Sequence, residues 1–290
     1  MRRLLGAAAF VLFEHSHRLA LRLVGATERH VPTSQGPVHV LDVPGAGCLP
    51  TVVLLHGLSA SAIDFAPLVR ALRRHARRVI ALDAPGHGRS APPRNAIDTA
   101  VLQTALFEAL DRLRSEGLTE PVTLVGNSLG GIFATRYALR HPDATGHLVL
   151  VAPAGAPCSA QTLADLRRRF DPANLDDGLR FVREVFVRRR WYERVLAWGV
   201  PHRVATPTAR ALLAAIDDDT WLTPAELEGL DVPVLLLWGR QDVVLPPEHY
   251  AFFARHLPPH AARRLADGLG HAPHLDDPDR LAADVLEFST

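Results

Sequence analysis

The sequence contains no lysine, so arginine supplies all of its permanently cationic side chains. Schiff-base chemistry and general-base catalysis by lysine are therefore excluded. The formal net charge is only +1, and such a balanced chain has no global field that would attract nucleic acid or acidic substrates. We therefore expect no nucleic-acid partner.

Cysteine is also scarce. Cys48 and Cys158 are the only two, and they are far apart without a CxxC spacing. This predicts two free thiols rather than a disulfide. No Cys/His cluster has the spacing of a zinc site, and we expect neither a metal nor a cofactor. A chain of 290 residues is long enough to bury a core without them.

No apolar run near the start reaches the roughly 20 residues of a bilayer-spanning helix. Residues 1–26 instead predict an amphipathic helix with charges on one side and apolar residues on another. The two sets are Glu14, Arg18 and Arg22, and Leu12, Leu19, Leu23 and Val24. We favour packing on the protein's own surface. Contact with a membrane surface and cleavage as a signal segment stay open. The expected location is the cytoplasm, peripheral at a membrane if the helix binds lipid.

Short apolar runs alternate with helical patterns in the rest of the chain. The runs predict strands at 38–43, 52–55, 79–82, 122–125, 148–151 and 234–238. The segments between them predict helices at 67–75, 97–113, 132–140 and 281–288. Continuous apolar strands separated by helices indicate an α/β fold with a mostly parallel central sheet and helices on both faces.

This alternation is interrupted between residues 155 and 229, where the chain has helical patterns and many charges. We predict a helical cap over 155–229, inserted between two parts of a core formed by 27–154 and 230–290. We interpret the arginine runs at 167–169 and 188–190 as solvated helix faces rather than a site for an acidic substrate. The apolar residues between them are expected to line an apolar pocket.

Gly126-Asn127-Ser128-Leu129-Gly130 has the pattern G-x-S-x-G. A predicted strand runs directly into this pentapeptide and a predicted helix leaves it. In that setting the glycines allow a sharp turn that exposes the serine oxygen above the sheet. We therefore predict Ser128 as a nucleophile.

A serine hydroxyl needs a base to take its proton, and the base needs an acid to fix its tautomer. Asp242 follows a predicted strand, and His271 lies in a glycine-containing loop before the last helix. They give the Ser, Asp, His order that accompanies such an elbow. His274 is the rival base. Asp267 is a rival acid, but it comes so shortly before His271 in the chain that its carboxylate is not expected to reach the imidazole ring.

Two backbone N–H groups, those of Leu58 and Leu129, are the expected donors to an oxyanion. His56 comes just before the first of these turns, and we interpret it as a structural residue. His249 and His256 fall inside a predicted helix and are expected on the surface.

Five segments together resemble the α/β-hydrolase family, over roughly residues 28–290. They are residues 56–57, 83–90, 126–131, 239–242 and 270–278. The resemblance implies a cap above the active site and a serine hydrolase that cleaves a small apolar carboxylic ester without a cofactor. Haloalkane dehalogenases and epoxide hydrolases of this family carry Asp where this chain has Ser128, so neither activity is expected.

Two other functions stay open. With Gly131, the elbow is similar to the Gly-Asn-Ser-Met-Gly-Gly pattern of C–C hydrolases that act on meta-cleavage products. The loop after Gly57 lacks their glycine-rich continuation, however, and Ala272 stands where they usually carry Trp. The third hypothesis is a non-catalytic, ligand-binding member of the fold.

Overall fold

The computed structural model describes residues 2–290, with side chains from residue 8 onward. Within that range a single sheet contains the strands β1 (Thr27–Val31), β2 (Val38–Pro44), β3 (Val52–Leu55), β4 (Arg78–Leu82), β5 (Val122–Asn127), β6 (Thr145–Val151), β7 (Val234–Gly239) and β8 (Ala262–Ala266). Their spatial order is β1-β2-β4-β3-β5-β6-β7-β8. The pairs of β1 with β2 and of β2 with β4 are antiparallel, and the others are parallel. The predicted fold class is confirmed.

The sequence predicts six of these strands, and β1 and β8 are the two that it misses. Both lie at the edges of the sheet. Edge strands carry charged side chains because such residues discourage pairing with another chain. Glu28, Arg29, Arg263 and Arg264 therefore break the apolar runs by which the central strands are recognised.

Helices cover both faces of the sheet. They are α1 (Arg2–Arg22), α2 (Ala66–Leu72), α3 (Thr99–Ser115), α4 (Leu129–Arg140), α5 (Ala160–Arg169), α6 (Leu175–Val185), α7 (Glu193–Arg203), α8 (Pro207–Ala214), α9 (Pro224–Glu228), α10 (Pro247–His256), α11 (Pro273–Asp276) and α12 (Pro278–Phe288). Successive residues of β3 point to opposite faces. Val53 and Leu55 join one core cluster, while Val52 and Leu54 join the other.

The regular structure between β6 and β7 is helical and consists of α5 to α9. This is the segment for which the sequence predicts a cap. Its buried side chains, among them Leu166, Phe170, Val182 and Val200, belong to the same apolar cluster as one face of the sheet. The cap helices are therefore packed on the core rather than held away from it.

The N-terminal helix α1 packs on the protein through its charged side. Glu14 pairs with Arg203 of α7, and the buried Arg18 pairs with Glu28 of β1. Ion pairing compensates for the burial of these charges. Most of the apolar set of the sequence pattern lies on the outer side, whereas Leu21, outside that set, is fully buried. Among the helices of residues 2–290, none combines the length and hydropathy needed to cross a membrane.

Both cysteines are free, as the sequence predicts. Cys48 is exposed, whereas Cys158 is partly buried at the start of the cap. Burial raises the pKa of the Cys158 thiol, and a protonated thiol is a poor nucleophile. Neither cysteine therefore offers a rival to Ser128.

Candidate active site

Ser128 lies at the turn between β5 and α4. Its backbone has φ 52° and ψ −120°, a conformation that is strained for any residue with a side chain. The turn is tight because Gly126 faces the start of α4: a Cβ added there would lie 2.4 Å from the carbonyl oxygen of Gly130. The glycine pattern of the sequence thus produces the sharp elbow that it predicts.

The two predicted oxyanion donors flank this serine. Leu129 is the first residue of α4, where backbone N–H groups lack intrahelical acceptors and the helix dipole favours negative charge. Leu58 follows Gly57 in the loop after β3 and lines a cavity with Ser128. A Cβ added to Gly57 would lie 3.0 Å from Ser128 Cβ and 3.5 Å from its Oγ. The loop therefore passes directly beside the nucleophile.

This close approach predicts that Gly57→Ala lowers kcat/KM by about 100-fold, because the added methyl would displace Ser128 or the Leu58 N–H from a productive geometry. Gly146→Ala is the matched control, since its Cβ would meet the nearest atom, Pro121 Cβ, at an ordinary 3.4 Å. Turnover of an aryl ester and the melting temperature would be measured for both. Equal activities of the two variants would contradict the steric argument.

Asp242 lies in the loop after β7 and reaches His271. Its Oδ2 is 2.9 Å from His271 Nδ1, and its Oδ1 accepts hydrogen bonds from the backbone N–H groups of Val244 and Leu245 at 2.8 and 3.2 Å. The carboxylate is fully buried. Both of its oxygens therefore have partners although water does not reach them.

Electrostatics keep this acid ionised. Burial opposes the charge of Asp242, but His271 and the two backbone N–H groups outweigh it and hold the pKa of Asp242 below its ordinary value. An ionised Asp242 accepts from Nδ1–H of His271, which leaves Nε2 with a free lone pair. His271 lines the same cavity as Ser128. The structure thus brings all three predicted residues to one site.

Asn127 is a site residue that sequence reasoning missed. Its Nδ2 donates to the carbonyl oxygens of Val151 at 3.0 Å and His271 at 3.1 Å. These bonds join the elbow to the loop that carries the imidazole. No sequence signal points to this role, because both acceptors are backbone atoms remote in the chain.

The rival base and acid have unsuitable surroundings. His274 is buried against the ring of Phe65, with centroids 4.7 Å apart, and burial lowers its pKa to about 4. Such an imidazole is a weak base. Asp267 is exposed and pairs with Arg240 at 2.8 Å. Its carboxylate therefore forms an ion pair on the surface rather than with His271.

The prediction that His249 lies on the surface is wrong. Its side chain is buried and lines a second cavity with Leu58 and Leu129. The first turn of α10 packs beside the loop that carries Asp242, which helical periodicity alone does not reveal. His256, at the other end of α10, is partly exposed and pairs with Glu228 at 3.1 Å.

His56 is structural, as expected. Its Nε2 accepts from the backbone N–H of Ala84 at 3.0 Å, so Nδ1 carries the proton and lies 2.7 Å from the carbonyl oxygen of Gly57. Burial lowers the pKa of His56, in keeping with a neutral ring. The residue therefore joins the loops after β3 and β4 and supports the turn that contains Leu58.

The buried histidines predict a loss of stability in acid. Burial lowers the pKa of His249 and of His274 from 6.5 to about 4. Between these values the unfolded chain binds more protons than the folded protein, so stability falls as pH decreases from 6.5 to about 4. Each group contributes as much as roughly 3 kcal/mol to this fall.

Urea unfolding of the wild type and of His274→Leu, at pH values above and within that window, measures the effect. The variant lacks one of the titrating groups and is expected to lose less stability in acid. An identical pH dependence of the two proteins would show that His274 does not contribute.

Two cavities meet at Ser128. The larger has a volume of about 470 Å³, within the usual range for ligand sites. Its apolar walls come from the cap and from α1, and include Phe10, Phe13, Phe170, Phe181, Val182, Val185 and Phe186. The smaller has a volume of about 70 Å³ and is lined by Leu129, Ile132, Leu213 and Val244 among others. Ser128 thus lies between a large and a small apolar space.

Comparison with known proteins agrees with this architecture. The alpha/beta hydrolase family model matches residues 52–284. Pimeloyl-[acyl-carrier protein] methyl ester esterase of Nitrosomonas europaea is 30% identical over 273 residues, covering 85% of this chain and 97% of the relative.

Two solved structures share the fold, each at 24% sequence identity. A bacterial membrane phospholipase A has a TM-score of 0.80, with 96% of this chain and 90% of that chain covered. The 2-hydroxy-6-oxo-6-phenylhexa-2,4-dienoate hydrolase of Rhodococcus sp. strain RHA1 has a TM-score of 0.78, with 91% and 99% covered. With the family match over most of its length, the elbow and the parallel sheet, this chain belongs to the alpha/beta hydrolase family.

Proposed function

We propose that the protein is a serine hydrolase that cleaves a carboxylic ester through Ser128, His271 and Asp242. The observation that supports this most is the buried Asp242 at 2.9 Å from Nδ1 of an imidazole that shares a cavity with an elbow serine. This arrangement orients Nε2 of His271 as a base. Activation of a serine by an oriented histidine is the basis of acyl transfer through an acyl-enzyme.

In the proposed reaction, Nε2 of His271 takes the proton of Ser128 as Oγ attacks the ester carbonyl. The N–H groups of Leu58 and Leu129 donate to the oxyanion of the tetrahedral intermediate. His271 then gives its proton to the departing alcohol, and the acyl group stays on Ser128. A water attacks the acyl-enzyme as His271 takes its proton. His271 then returns this proton to Oγ of Ser128 as the acyl–oxygen bond breaks, which releases the acid and restores the serine.

The cavities support a small-molecule apolar ester with unequal parts. A space of about 470 Å³ accommodates a long or aromatic group, whereas about 70 Å³ accommodates only a short one. The relative from Nitrosomonas europaea is named as a methyl ester esterase, a class in which one part of the ester is small. We therefore propose an ester of a medium-length or aromatic apolar acid with a small partner group.

A series of methyl esters with acyl chains of increasing length tests this proposal, with Ser128→Ala as the control. We expect kcat/KM to rise about fourfold for each added methylene, since a buried methylene is worth about 0.8 kcal/mol, until the cavity is full. A meta-cleavage product is assayed in parallel. Rapid C–C cleavage without ester turnover would overturn the proposal in favour of the C–C hydrolase.

Labelling with a fluorophosphonate distinguishes both enzymes from a non-catalytic binding protein. An activated serine reacts with this reagent, and Ser128→Ala provides the unlabelled control. If wild-type Ser128 stays unmodified while the protein is folded, a ligand-binding role becomes the better explanation.

A further inference from the structure

The outer side of α1 carries an unpartnered apolar surface. Six large hydrophobic side chains are exposed among residues 8–290; three of them lie on this helix, and a fourth lies in the turn that directly follows it. They are Val11 (66%), Leu12 (70%), Leu19 (56%) and Leu23 (80%), and we call them the leucine face. Residues 12, 19 and 23 share one stripe because they are separated by seven and four positions. Such a patch on a protein surface marks an interaction site.

Buried ion pairs hold the leucine face outward. Glu14 and Asp64 both pair with Arg203, whose guanidinium also lies 5.7 Å from the centre of the Phe10 ring. On the next turn Arg18 is buried against Glu28. Rolling the helix to bury Leu12 and Leu19 would separate these charges and leave the buried Arg18 without its partner, which is strongly destabilising. The exposure of the leucines is thus built into the fold.

The inner side of the same helix lines the substrate cavity. Phe10, Phe13 and His17 contribute to the wall of the cavity that contains Ser128. Only the thickness of one helix, about 10 Å with side chains, separates that cavity from the leucine face. A surface that contacts the leucine face would therefore lie next to the apolar space in which the ester binds.

The charges of α1 favour a lipid surface as the partner. Its sequence contains four arginines and one acidic residue, Glu14, and Glu14 is already paired with Arg203. Arg18 is buried against Glu28. Arg22 also pairs with Glu28, at 3.3 Å, but remains more than half exposed at the end of the leucine face. Arg2 and Arg3 precede the leucine face in the sequence. Apolar side chains flanked by arginines complement the acyl region and the anionic headgroups of a membrane. The helix does not combine the length and hydropathy needed to span the bilayer.

We propose that the leucine face docks on the surface of an anionic bilayer, with α1 lying in the plane of the interface. Docking brings the cavity of Ser128 to the membrane, from which a lipid-soluble ester enters it. The docking stands independently of the proposed function, whereas this supply of substrate rests on it.

Vesicle flotation tests the docking. Wild-type protein is mixed with phosphatidylcholine vesicles that either contain or lack phosphatidylglycerol, and binding to the anionic vesicles is expected. The variant Leu12→Gln/Leu19→Gln/Leu23→Gln keeps the helix propensity of leucine approximately but removes the apolar surface. Its binding should fall at least tenfold, because burial of a single leucine already changes an equilibrium by about that factor. The matched control, Leu12→Met/Leu19→Met/Leu23→Met, should still bind.

Three outcomes would overturn the proposal. The wild type does not float with anionic vesicles, the glutamine and methionine variants float equally well, or the leucine face joins two copies of this chain instead. In the last case, sedimentation would show a dimer that the glutamine variant dissociates, and no vesicle binding would occur.

Two further measurements separate this proposal from the esterase assignment. The glutamine variant should hydrolyse a water-soluble short ester at the wild-type rate but lose activity on a long-chain ester carried in vesicles. Ser128→Ala should float as the wild type does. Flotation without ester turnover would support the docking and reject only the esterase function. Ester turnover without flotation would support the esterase function and reject only the docking.

Discussion

Replacement of Ser128 by alanine should lower kcat for ester hydrolysis by roughly 10⁴- to 10⁶-fold, because the attacking oxygen is lost while the rest of the site remains. Substrate binding should change little, since the two cavities and the oxyanion donors are untouched. Steady-state kinetics with a purified variant, together with its melting temperature, provide the measurement. Residual activity above one per cent of wild type would show that another group performs the attack.

At position 128, the backbone conformation that the proposed activity requires should reduce the stability of the fold. Ser128 has φ 52°, and strain of this kind costs of order 1–3 kcal/mol. Glycine adopts positive φ without this cost. We therefore expect Ser128→Gly to be about 1 kcal/mol more stable than Ser128→Ala in urea unfolding, although both are inactive. A glycine variant less stable than the alanine variant would contradict a strained elbow.

The second large effect concerns the base and its acid. His271→Gln and Asp242→Asn should each lower kcat by about 10⁴-fold, since one removes the base and the other no longer fixes its tautomer. The double variant should lose little more than the worse single variant, because the two residues act as a unit. Kinetics of the three variants on one ester measure this.

His274→Leu provides the matched control, because His274 lines the same cavity but packs on Phe65 rather than on Asp242. We expect it to retain activity within about tenfold of wild type. If His274→Leu loses as much activity as His271→Gln, the base has been assigned to the wrong imidazole. Asp267→Asn tests the rival acid in the same way and should be near wild type.

Much of this site follows from local sequence patterns. The elbow is recognisable because the glycines around Ser128 act on their immediate neighbours, and because apolar runs identify the strand before it. Asp242 is then found from the apolar strand that precedes it, and His271 from the glycine-containing loop before the last helix, although the strand β8 that precedes this loop is not recognised. Edge strands β1 and β8 escape recognition because their charged residues interrupt the apolar pattern.

Contacts between remote parts of the chain could not be predicted in this way. The burial of His249 depends on how α10 packs beside the loop after β7, and the role of Asn127 depends on a carbonyl 144 residues away. In both cases the contacting residues are remote in the sequence, so no local pattern indicates the contact. The size of the cavities depends likewise on the packing of the cap. Its helices contain no sequence motif from which their arrangement could be predicted.

The sequence by itself therefore determined the fold class, and it predicts the nucleophile and the order of the residues around it, because these depend on periodicity and on turn residues that act locally. Only the tertiary structure decided the orientation of α1. Its amphipathic pattern predicts two faces but not which of them packs inward. Glu14 and Arg18 pair with Arg203 and Glu28. With these long-range ion pairs in place, Leu12, Leu19 and Leu23 remain in solvent, whereas Leu21 is buried.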